Sequence, residues 1–434
     1  MATEAMLLMR IYNLFPLLAG PFKDWTPHLT RAADMGFDWL FVNPVQKTGR
    51  SGSLYSIKDY FAINPVLCSS AAGPPEDQVR RVVAQAERLG MRVMIDLVIN
   101  HCAYDSELLK QQPDWFVKEH GRIAHPSCIH DGQKVVWRDL AQFDHHNAKD
   151  KEGLLLYCRR IVDYLLGLGF RGFRCDAAYQ IPAIFWQRLI EGVKRDYPDA
   201  VFVAETLGCS ADQTRQTAQA GFDAIFNSSK WWDFGSPWLL EQYHLTRSTA
   251  PSISFPESHD TPRLCEEFYG NTDALRQRYL FAALFSAGVM MPMGFEFGFR
   301  KPLHVADTKP SDWEQTGVDL TPFIREINQI KQRYPVFREE SVTELWDTSN
   351  PAVLLMWKAS TDNSSEALII LNKDVWNRQH CYVEDLYRYV QSPPPLVDVS
   401  PQWPMEHLPT PFEYELPPGV GRILVAGRST ASAE

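Results

Sequence analysis

The chain has 434 residues, 45% of them apolar and 22% charged, enough to bury a large core and too apolar for a disordered polymer. Its 43 basic and 53 acidic residues leave a net charge of −10, which argues against nucleic-acid binding, because a phosphate backbone is met by clustered positive charge. The opening MATEAMLLMRIYNLF lacks the basic start and small-residue cleavage site of a secretory leader, and no apolar run is long enough to span a bilayer. A cytoplasmic protein without a membrane segment is therefore expected. The 8 cysteines are scattered without a C-x-x-C pair, so a structural zinc site is not expected.

Short apolar runs predict strands over residues 8–15, 37–43, 92–98, 172–176, 201–205, 222–227, 252–256 and 289–293. Amphipathic stretches predict helices between them, over 27–35, 75–89, 153–168, 182–195, 211–218, 238–244 and 273–286, with 320–333 after the last strand. Pro27, Pro75 and Pro182 sit near helix starts, where the missing N–H costs little. Eight strand–helix units predict an α/β fold, a closed (β/α)8 TIM barrel over 1–100 and 151–340. Segment 101–150 is too long for a barrel loop and is predicted to be a short inserted subdomain after the third strand. Beyond 340, alternating runs such as AVLLMWKAS and ALIILNKD, followed by Pro-rich stretches, predict a C-terminal antiparallel, β-sandwich-like domain over 341–434. Its end, GRSTASAE, reads as a loose tail.

Four of the predicted strands end in or lead to acids: DLVINH, GFRCD, VFVAE and FPESHD. Strand ends converge on one rim of a barrel, so these acids should meet. Arg174 and Asp176 are two apart and share a face. They are a structural ion pair or a nucleophilic carboxylate kept ionised by a guanidinium. Glu205 at an apolar strand end is a capping acid or a general acid of raised pKa. Asp260 and His259 could bind sugar hydroxyls, Asp96 is expected to bond to Arg174, and Asn100 either positions its loop or ligates calcium through its amide oxygen.

Other features have bland readings. Most of the 13 Trp and 16 Tyr are expected in the core, with a handful lining a cleft. Trp231, Trp232 and Asp233 form a sugar platform or pack after the sixth strand. His145 and His146 are adjacent and would point apart on a strand. Glu296 is read as a structural acid. Loop 49–53, GRSGS, lacks the spacing of a phosphate-binding loop.

The order and spacing of DLVINH, GFRCDAA, VFVAE and FPESHD resemble the four signature segments of the α-amylase family of retaining glycoside hydrolases, which also includes glucanotransferases and maltosyltransferases. SLYSIKDYFAINP resembles that family's second-strand loop, and VWRDLAQFD the segment leaving its inserted subdomain. The resemblance implies Asp176 as nucleophile, Glu205 as acid/base and Asp260 as transition-state stabiliser. It implies substrate positioning by His101, Arg174 and His259, and stacking by Tyr55. The chain departs from the family where Ala177-Ala178-Tyr179-Gln180 replaces a common Lys-His pair, where Thr206-Leu207-Gly208 carries no aromatic, and where Ser258 replaces a common Asn. The leading expectation is an α-1,4-glucan or maltooligosaccharide hydrolase working through a covalent glycosyl-enzyme, without a required cofactor. The alternatives are an intracellular glucan or maltosyl transferase, including one using maltose-1-phosphate, and a catalytically silent barrel serving as a binding partner. Oligomeric state is not legible.

Overall fold

The computed structural model describes residues 9–130, 133–392 and 395–427. Leu8 and the segment 428–434 lie outside them. Eight parallel strands close into a barrel: β1 (Met9–Leu14), β2 (Trp39–Val42), β3 (Arg92–Leu97), β4 (Gly172–Cys175), β5 (Val201–Ala204), β6 (Ala224–Phe226), β7 (Ser252–Ser254) and β8 (Gly288–Pro292). Each is followed by a helix: α1 (Thr26–Asp34), α2 (Pro75–Arg88), α3 (Lys151–Gly167), α4 (Ala183–Asp196), α5 (Ala211–Ala218), α6 (Trp238–Thr246), α7 (Thr272–Phe285) and α8 (Thr321–Arg333). The predicted barrel is thus present unit by unit, its element ends displaced by a few residues. Among the described residues no helix is long and apolar enough to cross a membrane.

Alternation along the strands sorts two cores. Outward residues such as Leu40, Val93, Ile95, Phe173 and Phe202 join the large cluster under the helices. Inward residues Ile11, Trp39, Phe41, Met94, Val203, Phe226 and Met290 fill the cylinder itself. The same inward face, followed toward the strand ends, passes through Asn13, Asn43, Asp96, Arg174, Asp176 and Glu205. The interior therefore changes from apolar to charged at the C-terminal rim, where barrel enzymes hold their chemistry. Two glycines make the lower layer possible. A Cβ on Gly172 would lie 2.6 Å from the Trp39 ring, and one on Gly288 would lie 2.6 Å from Ile253.

The long β3–α3 connection carries short antiparallel pairs, His101–Ala103 with Leu140–Gln142 and Lys118–Glu119 with Arg122–Ile123. The β2–α2 connection holds a hairpin, Gln46–Thr48 with Ile57–Ile63, interrupted by register shifts.

The C-terminal domain contains β9 (Val342–Trp346), β10 (Val353–Ala359), β11 (Ser365–Asn372), β12 (Gln379–Val383), β13 (Val397–Asp398), β14 (Phe412–Leu416) and β15 (Gly421–Gly427). They form an antiparallel sheet in the order β9-β10-β11-β15-β13 and a separate β12–β14 pair. Val353, Leu355, Leu368 and Ile370 face that pair, while Leu354, Met356, Ile369 and Leu371 face the barrel. Both faces of the sheet are buried, which explains its near-continuous apolar strands. The helix between barrel and sheet, α7, is buried along most of its length. Its C-terminal carbonyls are capped by buried ammonium groups. Lys331 Nζ donates to Ala283 O (2.8 Å) and Ser286 O (2.6 Å), and Lys358 Nζ, from β10, donates to Leu284 O (3.1 Å) and Phe285 O.

Gly172→Ala should destabilise the chain by about 1–3 kcal/mol through overpacking against Trp39. Denaturant unfolding of the purified variant measures this, and an unchanged or raised stability would contradict the packing described.

Candidate active site

The site is built around Arg174. Register sets its first contact, because Arg174 on β4 lies opposite Asp96 on β3. Their side chains meet inside the rim, with Arg174 Nη1 donating to Asp96 Oδ1 at 2.7 Å. The same nitrogen donates to Asp176 Oδ1 at 2.8 Å, and Nη2 reaches Glu205 Oε1 at 3.0 Å and Asp260 Oδ2 at 4.0 Å. One guanidinium thus gathers four carboxylates from β3, β4, β5 and the loop after β7. Its own side chain is 3% exposed, whereas those of Asp176, Glu205 and Asp260 are 13%, 15% and 51% exposed. The cation is sealed below and three of the anions open toward the rim.

Glu205, directly after β5, is held from a second side. Ala177 adopts a left-handed backbone, φ 46° and ψ 40°, and its N–H donates to Glu205 Oε2 at 2.7 Å. A non-glycine residue in this region is strained, and the strain aims the amide of the residue after Asp176 at Glu205.

A second chain of contacts fixes the Asp260 side. Tyr55 Oη donates to Asp96 Oδ2 (2.5 Å) and meets His259 Nε2 (2.6 Å), the two rings nearly parallel at 4°. His259 Nε2 also lies 3.0 Å from Asp260 Oδ2. Asn43 Nδ2 donates to Tyr55 Oη at 2.9 Å, and Asn13 Nδ2 to Asn43 Oδ1 at 2.9 Å. The loop carrying His259 and Asp260 is anchored by a buried pair, Arg263 Nη1 to Glu257 Oε1 at 2.7 Å, with Leu264 N donating to Glu257 Oε2 at 2.6 Å.

Burial drives the electrostatics. It lifts Asp176 and Glu205 each to about 7, against the opposing pull of Arg174. The two acids are coupled through one guanidinium and should titrate as a pair. Asp260 behaves differently. Burial acts on it too, but half of its side chain is open to water, and His259 with Arg174 holds it down at about 2. His259 is pulled by burial toward neutrality, yet Asp260 outweighs that and raises its pKa. At neutral pH the site therefore contains a fixed Asp260 anion, held by His259 and Arg174, and an Asp176–Glu205 pair poised to exchange a proton.

Six of the sequence-predicted residues, Asp176, Glu205, Asp260, Arg174, His259 and Tyr55, meet in this network. His101 is buried beside the Tyr55 backbone without hydrogen-bond geometry to it. Burial lowers its pKa to about 4, and both ring nitrogens are without a partner. Asn100 Nδ2 donates to Gln180 Oε1 at 2.9 Å, and the Asn100 backbone carbonyl accepts from Phe143 N at 3.1 Å. Among the described residues no group of three or more His, Cys, Asp or Glu side chains is placed to hold a metal ion. His145 is a core residue, its Nε2 on Ile99 O at 2.7 Å and its ring against Phe185. Glu296 is fully buried between Tyr12 Oη (2.7 Å) and Arg31 Nε (2.9 Å), a structural role. Asn13, Asn43, Glu257 and Arg263 were not singled out from the sequence. For the two asparagines the signal was there, since each follows an inward apolar residue, Ile11 or Phe41, by two positions.

Residues 6–119 match the family model described as the glucanotransferase domain of glycogen debranching enzyme. The chain is 26% identical over 389 residues to an α-1,4-glucan:maltose-1-phosphate maltosyltransferase of Burkholderia pseudomallei, covering 86% of this chain and 34% of that protein. It is 25% identical over 394 residues to the enzyme of the same name from Rhodospirillum rubrum, covering 82% of this chain and 54% of that protein. It thus spans a third to about half of the length of these relatives. In fold it is similar to an α-amylase from Lactobacillus plantarum, with a TM-score of 0.77, 20% identity and coverage of 97% of this chain and 99% of that one. The likeness to the α-amylase family read from the sequence is borne out, with maltosyltransferases among the relatives.

Asp96 is one of the charges that raise Asp176. Asp96→Asn should therefore move the titration of Asp176 below about 7, as followed by carbon NMR of labelled aspartate carboxyls. An unchanged or higher midpoint would contradict the coupling.

Proposed function

We propose that this chain is an α-amylase-like retaining enzyme acting on α-1,4-linked glucans or maltooligosaccharides through a covalent glycosyl-enzyme. One observation carries the reading: Asp176 and Glu205 sit on the two terminal nitrogens of the same buried guanidinium. Carboxylates so close favour the spacing of about 5 Å that retention requires, rather than the roughly 6.5–9.5 Å that leaves room for an attacking water.

Asp176 attacks the anomeric carbon, and the bond from that carbon to the leaving oxygen breaks as Glu205 delivers its proton to that oxygen. At neutral pH the pair holds about one proton, and the reactive form carries it on Glu205 while Arg174 stabilises the Asp176 anion. Asp260, held ionised, faces the positive charge that develops on the sugar, and His259 positions a hydroxyl. In the second half, an acceptor hydroxyl gives its proton to Glu205 and its oxygen attacks the same carbon, releasing Asp176. Nothing in this sequence of steps calls for a cofactor. The Asn100 amide donates through its nitrogen to Gln180, which leaves the oxygen through which calcium would be ligated.

Hydrolysis, the leading expectation from sequence, and transfer differ only in whether water or a sugar is the acceptor. The maltosyltransferase relatives favour transfer, with maltose-1-phosphate as a candidate donor. The free cysteines of the described residues support a reducing, cytoplasmic setting.

Incubation with a maltooligosaccharide ladder, with and without maltose-1-phosphate, separates the two outcomes. Transfer yields longer chains, whereas hydrolysis releases reducing ends in step with substrate loss. Glu205→Gln should lower turnover of maltotetraose by about 10²–10⁴-fold, with a much smaller loss on maltosyl fluoride, whose leaving group needs no proton. Asp176→Asn should abolish both reactions while sugar binding persists in calorimetry. Full activity of the Asn variant would refute the assigned nucleophile.

A further inference from the structure

The segment after β6 carries an aromatic ring that the mechanism does not use. Trp231 ends a short 3-10 turn and is 51% exposed. Its surroundings are rigid. Trp231 N donates to Ser228 O at 3.1 Å. The next residue, Trp232, is fully buried against Phe234 and Phe281, and its carbonyl accepts from Arg278 Nη1 at 2.7 Å. On the other side, the buried ammonium of Lys230 reaches Glu267 Oε2 at 2.7 Å, tying the loop after β6 to the loop after β7. A large apolar ring is thus half open to water on a backbone that cannot follow it inward.

Its position relates it to Glu205. The Trp231 ring meets Phe255 edge-on, at 6.1 Å and 89°, and Phe255 in turn lies 6.0 Å from Phe226 at the end of β6. Leu207, two residues after Glu205, packs against the same barrel-interior cluster as Phe226 and Phe255. Thr206 Oγ1 donates to Phe226 O. Thr206 is buried and Leu207 is a half-buried aliphatic side chain, so neither residue directly after Glu205 offers a sugar a flat surface. Trp231 stands on the loop after β6, the strand that pairs with β5 leading to Glu205, and its ring rests against Phe255 at the end of β7. The group that protonates the leaving oxygen borders the leaving and acceptor side of the cleft, and the loop carrying Trp231 follows the neighbouring strand of the barrel.

We propose that Trp231 is an acceptor platform, on which the apolar face of a glucosyl unit of the incoming maltooligosaccharide stacks. The ring supplies apolar area whose ordering cost is met by the fold. This rests on the reading of the chain as a retaining glucan enzyme.

The test uses the full chain and 5-fluoro-maltosyl fluoride to trap the glycosyl-enzyme, which mass spectrometry detects. Its release is then followed against maltotetraose concentration. Trp231→Ala should raise the half-saturating acceptor concentration about fivefold, and Trp231→Phe by less, since a stacking contact is worth about 1 kcal/mol. Thermal unfolding checks that the variants fold. A wild-type-like acceptor dependence in a folded Ala variant overturns the platform and leaves the retaining mechanism standing. So does an Ala variant that slows trapping and acceptor release equally, as a merely structural defect would. Failure of the wild-type chain to form any trapped adduct overturns the retaining mechanism and the platform with it.

Discussion

A single buried guanidinium is the constraint on which this site depends. Arg174 sits beneath the rim with almost no exposure and meets Asp96, Asp176 and Glu205 directly, with Asp260 at its edge. A cation in that position could not be tolerated without its anions, and the anions could not crowd together without it. The network carries more acid than base, and burial makes full ionisation costly, so part of the imbalance is met by protons on Asp176 and Glu205. The property that makes the site unstable as a set of charges makes it suited to moving a proton at neutral pH.

The barrel delivers this arrangement through register. The parallel pairing of Arg174 with Asp96 is fixed well below the rim by Gly172 opposite Met94, where the missing side chain lets Trp39 cross the interior. Sliding β4 by one residue would turn Arg174 and Asp176 outward together. The packing of the apolar floor and the placement of the charged ceiling are thus one decision, taken along the same strands. The support around the second chain of contacts is of another kind. Asn13, Asn43 and Tyr55 pass orientation from β1 and β2 to His259, and the Glu257–Arg263 pair holds the loop on which His259 and Asp260 ride.

Much of this was legible in the residues. Short apolar runs buried on both faces declare themselves by composition, and the carboxylates at their ends stand out against them, Arg174 in GFRCD marking the strand that faces the others. What stayed hidden depends on partners distant in sequence. The hairpin pairing residues 46–48 with 57–63 carries register shifts that blur its alternation. Glu257 reads as one more acid in FPESHD until Arg263 is seen beside it. The partner of the Asn100 amide nitrogen, Gln180, lies eighty positions on. Lys358 lies within a strand whose pattern is otherwise apolar, and only the end of α7 explains a charge there.

The meeting of α7 with the C-terminal sheet has a wider consequence. Two ammonium groups, one from α8 and one from β10, complete the same helix end, and the sheet's inner face closes over a helix that is buried along most of its length. Neither half presents a finished surface to water by itself. The boundary near residue 340 is therefore a change of architecture and not a seam. Recombination that exchanged the tail for another protein's would have to replace the seventh and eighth barrel helices with it, so the two parts are bound to be inherited together.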